Sequence, residues 1–285
     1  MKVISSATEL KNHIKKPDLS PIGFVPTMGA LHEGHISLVR NASLQCPLVV
    51  VSIYVNPTQF NDKNDLKNYP RILDADLSLL KKVLRKNDIL FTPDDKEIYP
   101  VEDKRVFHFG HRANVMEGLH RPGHFNGVAQ VVSRLFEIVE PDIAFFGLKD
   151  LQQVVIIKEL VRQNGYEVRI AENPIIRESD GLALSSRNRL LETEIRKRAP
   201  VIFKTLSEAS LMIQNHEIPE IKRYVSTTIE KQDDFSVEYF EIVDDKELIP
   251  VSTRSKMKKG KTYYGCIAVK AGKIRLIDNI EFPLL

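Results

Sequence analysis

Two cysteines in 285 residues, Cys46 and Cys266, stand far apart and belong to no Cys-x-x-Cys pair or Cys/His cluster. That excludes a disulfide framework and a zinc knuckle, and reduced buried thiols are the expectation. No charge dominates: Lys plus Arg number 41 against 38 Asp plus Glu, a formal +3 with the signs interspersed. Such a balance leaves no footprint for nucleic acid, so any anion binding must be local. Long apolar runs are missing too. The longest, around Leu48 to Val55, is too short to cross a bilayer, and the opening MKVISSATELKNHIKK is broken by charges and lacks an apolar targeting core. A cytoplasmic protein without membrane contact is expected. There is no Gly-x-x-x-x-Gly-Lys-Ser/Thr and no Gly-x-Gly-x-x-Gly after the first strand, which argues against a P-loop NTPase and a dinucleotide fold. No internal repeat or low-complexity tract stands out.

What is present begins with a 42% hydrophobic content, ample for a core, and with the stretch Gly23 to Ala42, GFVPTMGALHEGHISLVRNA. Ile22 to Val25 suits a buried parallel strand, Pro26 to Gly29 is turn chemistry, and helical apolar spacing runs from about Leu31 through Leu38, Val39 and Ala42. The reading is strand, turn, helix. His32 and His35 fall in the first helical turn, three residues apart, and Gly29 and Gly34 leave room for a ligand to approach the backbone. Free N–H groups at a helix start and two imidazoles together make an anion site. The alternative is a surface helix with incidental histidines.

The same rhythm continues. A helix is expected over Thr8 to Lys16, strands at Leu48 to Val55 and Ile89 to Thr92, and a helix carrying Leu73, Leu77, Leu80 and Leu84 between them. Val106 to Phe109 reads as an edge strand, and HRPGHFNG (120 to 127) opens a helix stopped by Pro141. Strand Ile143 to Gly147, helix Asp150 to Asn164 and strand Val168 to Ala171 follow. The fold class is therefore α/β, a Rossmann-like parallel sheet flanked by helices. Past Leu190 the pattern becomes two polar helices, Glu192 to Asn215 and Ile218 to Lys231, and three alternating strands between Val237 and Ile277. Residues 1–176 are expected to form the sheet domain and 177–285 a smaller α+β domain closing over the site.

Ligands of open α/β sheets bind beyond the carboxyl ends of the strands. Four polar clusters sit there: Thr27 to His35, Asn56 to Gln59, Gly147 to Gln153, and Ser185-Ser186-Arg187. Lys149 begins a helix, where the dipole disfavours a cation by about 0.3–1 kcal/mol; a bound anion would explain it, as would a solvated surface position. The Ser-Ser-Arg run offers hydroxyls and a guanidinium fork to phosphate oxygens, or is a solvated loop. Gln59 and Gln153 can present amide donors to a carboxylate without adding charge.

His-x-Gly-His at the first helix with a later Ser/Arg loop resembles the paired signatures of the nucleotidyl-transferring superfamily that includes class I aminoacyl-tRNA synthetases. Longer stretches resemble one family, pantothenate synthetase: PTMGALHEGHISLV (26 to 39), VNPTQF (55 to 60), YPR (69 to 71), RPGHFNGVAQVV (121 to 132), PDIAFFGLKDLQQ (141 to 153), IIRESDGLALSSRN (175 to 188) and the terminal RLIDNI (275 to 280). The resemblance implies an ATP-dependent condensation of (R)-pantoate with β-alanine. The pantoate carboxylate attacks the α-phosphate to give pantoyl adenylate and pyrophosphate, and the amine then expels AMP. It implies that Met28, Gly29, Ala30, Leu31, His32, Glu33, Gly34 and His35 border ATP, His35 being the proton donor. Gly147, Leu148, Lys149 and Asp150 meet the nucleotide, as do Ile176, Leu184, Ser185, Ser186 and Arg187. Gln59 and Gln153 hold pantoate, Gln59 also touches β-alanine, and Asn56, Tyr69 and His124 lie close by.

The resemblance also implies Mg2+ carried by ATP and a homodimer, and no acidic metal cage is visible in the sequence. Two positions depart from the family's pattern: Leu148, often charged there, and Leu184, often Met or Lys. Both border the nucleotide. A related transferase acting on a phosphorylated acceptor should want more cations than Asn56, Gln59 and Gln153 supply, and a nucleotide- or RNA-binding module should interleave aromatic and basic residues.

Overall fold

A computed structural model of the chain describes residues 1–15 and 19–283. The strands are β1 (Lys2–Ile4), β2 (Ile22–Thr27), β3 (Leu48–Ile53), β4 (Ile89–Phe91), β5 (Ile143–Gly147), β6 (Arg169–Asn173), β7 (Phe235–Asp244), β8 (Tyr263–Ala271) and β9 (Ile274–Glu281). The helices are α1 (Ala7–Ile14), α2 (Glu33–Gln45), α3 (Lys63–Asn68), α4 (Leu73–Leu80), α5 (Asp95–Ile98), α6 (Met116–His120), α7 (His124–Val139), α8 (Leu151–Asn164), α9 (Thr193–Arg198), α10 (Val201–Met212) and α11 (Ile218–Glu230). Lys16, the expected end of the first helix, lies outside the described residues.

Two compact units emerge: Met1–Phe109, Arg121–Leu148 and Ile156–Pro174 form the first, and Gly110–His120, Lys149–Val155 and Ile175–Leu285 the second. The first holds a six-stranded parallel sheet in the order β1-β4-β3-β2-β5-β6. From β2 the chain winds outward through β3 to β4 and then returns to the other flank of β2 with β5. The switch in winding direction falls between β2 and β5. Leu48 to Val51 of β3 are fully buried, as a strand covered on both faces requires. Val25 packs with Val39 and Ile36 of α2, while its neighbour Phe24 meets Phe136 of α7 edge-on, ring centroids 6.4 Å apart.

β2 runs two residues further than expected, through Pro26 to Thr27. It pairs with β5 only at Gly23 and Phe24 but with β3 as far as Thr27, so the proline sits where one flank has already opened. No strand forms at 106–109. There the backbone is served by α7 side chains: Asn126 Oδ1 accepts from Phe107 N–H (2.9 Å), and Gln130 Nε2 donates to the carbonyls of Asp103 and Arg105 (2.9 Å each).

The second unit carries the antiparallel sheet β7-β8-β9. The long helix expected over Glu192 to Asn215 is split into α9 and α10 around Ala199-Pro200, since proline cannot donate to the preceding turn. Ile202, Leu206, Ile221, Val225 and Ile229 of α10 and α11 bury their apolar stripes with Ile267 and Val269 of β8.

Candidate active site

In the first unit the site grows from the end of β2. Thr27 Oγ1 donates to Ser52 O (2.7 Å) and accepts from Gly29 N–H (3.2 Å), which starts the turn. The chain then passes through two left-handed residues, Gly29 (φ 76°) and Ala30 (φ 49°). For a residue with a Cβ that conformation costs about 1–2 kcal/mol, so Ala30 has to be held in place. Asp76 of α4 does so: its carboxylate, buried at 1% exposure, accepts from Ala30 N–H (2.9 Å) and Leu31 N–H (2.7 Å).

His32 is the N-cap of α2 rather than part of its first turn. Its Nδ1 accepts from Gly34 N–H (3.1 Å), and His35 Nδ1 accepts in return from His32 N–H (3.4 Å), a reciprocal cap built of two imidazoles. The ring centroids are 4.1 Å apart. With Nδ1 as acceptor, each neutral ring carries its proton on Nε2, a donor matched to phosphate oxygen. The positive end of a 13-residue helix adds to this at the switch point between β2 and β5. Glu33, the first helical residue, faces outward to Arg40 (3.0 Å). A cavity of about 600 Å3 opens along the carboxyl ends of β2, β3 and β4, lined by Met28, Tyr54 and Thr92 among others.

Asn56, Gln59 and His124 form one frame. The Asn56 amide, buried, donates to Gln59 Oε1 (3.2 Å) and Gly127 O (3.1 Å), and its Oδ1 accepts from Thr58 Oγ1 and Tyr99 OH. Fixing Gln59 Oε1 in this way turns Nε2 toward Met28, whose Sδ is 3.1 Å away. Gln59 therefore presents donors, as recognition of a carboxylate requires. His124 is buried below the frame: Arg121 can only donate to its Nε2 (3.2 Å), so Nδ1–H donates to Gln59 O (2.8 Å). Tyr69, also buried, stands edge-on to Phe60 with centroids 5.7 Å apart. Gly147 closes β5 beside the switch, and Leu148 follows it.

The second unit gathers the rest. Lys149 lies in a 3-10 turn ahead of α8 and pairs with Asp150 (3.2 Å), which offsets the unfavourable helix start. Its carbonyl is held by Asn279 Nδ2 (3.0 Å). The neighbouring Asp278 accepts a bidentate pair from Arg177 (2.6 and 2.9 Å), and burial pushes that carboxyl up against the pull of the guanidinium. Arg177 also caps the face of Phe203 at 3.8 Å. A narrow hairpin results, in which Leu184 N–H donates to Ile176 O (3.0 Å) and Glu178 N–H to Leu182 O (2.8 Å), turning at Gly181 (φ 93°). Ser185 caps the 3-10 turn Ser186–Leu190, its Oγ accepting from Arg187 N–H (3.3 Å), and Ser186 is buried. Gln153 is half-buried on α8; its neighbour Gln152 is taken up by Glu117 N–H and the carbonyls of Arg112 and Val115.

Sequence reasoning missed Asp76, Gly127, Arg177, Asp278 and Asn279. Asp76 had a readable signal, since it occupies the fourth place in the stripe of Leu73, Leu77 and Leu80, where a carboxylate contradicts the apolar face. The others lie within stretches that carry the family resemblance, Gly127 in RPGHFNGVAQVV, Arg177 in IIRESDGLALSSRN, Asp278 and Asn279 in RLIDNI, but the contacts they make could not be read there because their partners are distant in the chain.

Fold and site together define an α/β protein of the parallel-sheet class that sets a helix start capped by two imidazoles at the switch of its sheet. The sequence profile of the pantoate-beta-alanine ligase family matches residues 2–281. The chain is 49% identical to the pantothenate synthetase of Azobacteroides pseudotrichonymphae genomovar. CFP2 over 99% of its own length and 100% of that protein's. It superposes on the crystal structure of pantothenate synthetase from Thermus thermophilus with a TM-score of 0.91 at 40% identity, covering 99% of this chain and 100% of that one. Against the pantoate-beta-alanine ligase of Francisella tularensis complexed with beta-gamma ATP and beta-alanine, the TM-score is 0.81 at 34% identity, covering 98% and 97%. The chain belongs to the pantoate-beta-alanine ligase family, and it is a ligase that forms the amide bond between pantoate and β-alanine.

Proposed function

We propose that His32, His35, Lys149 and the Ser185–Arg187 turn carry the adenylation half of this reaction, and that Gln59 and Gln153 hold the pantoate carboxylate. The observation that bears most weight is the two-imidazole cap at the start of α2, beside the β2/β5 switch. In the transition state, negative charge builds on the α-phosphate and the departing pyrophosphate. Cations and N–H donors fixed beforehand bind that charge more tightly than they bind ground-state ATP. His35 donates a hydrogen bond from Nε2–H to the phosphate side, and Lys149 and Arg187 supply full charges. The amine of β-alanine then attacks the acyl carbon, the acyl–phosphate bond breaks, and AMP leaves.

Mg2+ enters with ATP. Among the described residues no group of three or more His, Cys, Asp or Glu side chains is placed to hold a metal, a donor set that suits an ion bound by phosphate oxygens and water and neutralising their charge. Beta-gamma ATP and beta-alanine as the ligands of the Francisella tularensis relative support the nucleotide and amine assignments. We place the enzyme in the cytoplasm as a homodimer; sedimentation at a monomer mass across micromolar concentrations would remove the second part.

The test is to incubate the protein with ATP and pantoate and to follow pyrophosphate with and without β-alanine. One equivalent per active site is expected without the amine, and sustained turnover with it. His35→Ala should keep its fold by circular dichroism and lose the single-turnover burst. A burst of full size and rate in that variant would remove His35 from the chemistry, and pyrophosphate released only onto a phosphorylated acceptor would favour the related transferase.

A further inference from the structure

We propose that Asp76 is a positioning residue for adenylation: its carboxylate holds the left-handed turn that aims the His32/His35 cap. The proposal rests on the assignment of those histidines to the phosphates. Asp76 lies on α4, 44 positions beyond His32 in the sequence (76 − 32), and its carboxylate bonds to the turn that leads into that residue. Its two oxygens accept from two successive peptide N–H groups, Oδ2 from Ala30 (2.9 Å) and Oδ1 from Leu31 (2.7 Å). A carboxylate fork on consecutive N–H groups fixes the orientation of both peptide planes, as one acceptor atom could not. These planes lie immediately before the N-cap residue, so they set the direction in which His32 leaves the turn.

Three further observations fit this role. Ala30 adopts φ 49° although it has a Cβ, and the fork bonds to that residue itself. Gly29 is confined on the same side, where an added Cβ would come within 3.0 Å of Asp76 Oδ2 and of Ile53 Cγ2. Asp76 is buried on an otherwise leucine-rich stripe of α4, a place where stability alone favours an apolar side chain. The turn, the strand end and the helix that carries the carboxylate thus meet at one point behind the imidazole pair.

Asp76→Asn keeps the shape of the side chain but makes one arm a donor facing a donor. The expected result is a 10- to 100-fold slower single-turnover release of pyrophosphate from ATP and pantoate, at a temperature where the variant is fully folded. The ring nitrogen signals of His32 and His35 should shift in the 15N spectrum without any ligand. Adding Ala30→Gly, which adopts the left-handed turn without help, should recover part of the rate. Asp74→Asn, on the same helix but away from the turn, serves as the unchanged comparison. A rate within twofold of the unaltered protein, or unmoved imidazole signals, would overturn the proposal. If Asp76→Asn does not fold, hydrogen exchange on the unaltered protein decides: strong protection of the Ala30 and Leu31 amides is required, and rapid exchange at both refutes the fork. Loss of activity in Asp76→Asn with full activity in His35→Ala would instead overturn the phosphate assignment and leave the clamp standing.

Discussion

Gly127→Ala isolates the positioning of Gln59 from its chemistry. A Cβ at residue 127 would meet Thr58 O at 2.5 Å, Thr58 C at 2.6 Å and Gln59 N at 2.8 Å, all backbone atoms that no rotamer change can move aside. Restoring ordinary contact at 3.4 Å requires the carbonyl to retreat by about 0.9 Å (3.4 − 2.5). Helix α7 will not yield, for Val128, Ala129, Val132, Leu135 and Phe136 anchor it in the core. The 57–59 turn must move instead, and Gln59 with it. Overpacking of this kind costs about 1–3 kcal/mol, and Ala over Gly in a helix returns about 1 kcal/mol, so the net loss of stability is about 0–2 kcal/mol. A displacement near 1 Å at a substrate-orienting group costs about 10²-fold in rate. The assay is kcat/KM for pantoate from coupled pyrophosphate release, beside a thermal melt. A small drop in melting temperature with a large drop in kcat/KM is expected. An unchanged kcat/KM would refute the claim that the 57–59 turn sets the Gln59 amide, as would activity lost only in proportion to unfolding.

On the role proposed for it, Lys149→Ala should slow the chemical step by about 10²-fold or more, through loss of a charge strongest against the transition state; rapid-quench measurement of adenylate formation checks this, and unchanged turnover contradicts it. Arg177→Met leaves the Asp278 carboxylate buried without its guanidinium and should cost about 3–5 kcal/mol in denaturant unfolding at neutral pH. Because burial already raises the Asp278 pKa, that deficit should shrink as acid protonates the lone carboxyl. The Arg196 guanidinium, hydrogen-bonded at 2.7 Å, holds Asp180 below its ordinary value of 3.8, so the folded hairpin gains stability above that value and loses it as pH falls through the lowered one. An Arg196→Gln variant should therefore be weaker at pH 6 and converge with the unaltered protein in acid; equal melts at pH 6 would discount the pair. Both thiols are buried with raised pKa, so neither Cys46 nor Cys266 should react with a thiol reagent until the chain is unfolded.

The elements of the sheet domain were legible because their signals are local. β5 matches its expected bounds, and β3 reads as an unbroken β-branched run, since a strand buried on both faces has to be apolar throughout. The misreadings have a common cause. Val106 to Phe109 has strand-like composition, but Asn126 and Gln130 from a helix twenty residues later take the hydrogen bonds that a neighbouring strand would have used. Pro26 looked like a strand terminator because the opening of the β2/β5 edge, which makes it harmless, is a property of the assembled sheet.

By itself the sequence determined the alternation of strands and helices, the placement of polar clusters at strand ends, and, through its long motifs, the family. These are properties of spacing along the chain, where a period of two or of 3.6 is written directly in the order of residues. Tertiary structure alone decided how the imidazoles are held and which side chains hold them. The fork of Asp76 on Ala30 and Leu31, the seating of Gly127 on Thr58, and the latch of Asp278 and Asn279 on Arg177 and Lys149 join residues 45 to 46, 69 and 101 or more positions apart. Such contacts leave no local pattern, because what selects each residue is a neighbour that only folding brings near.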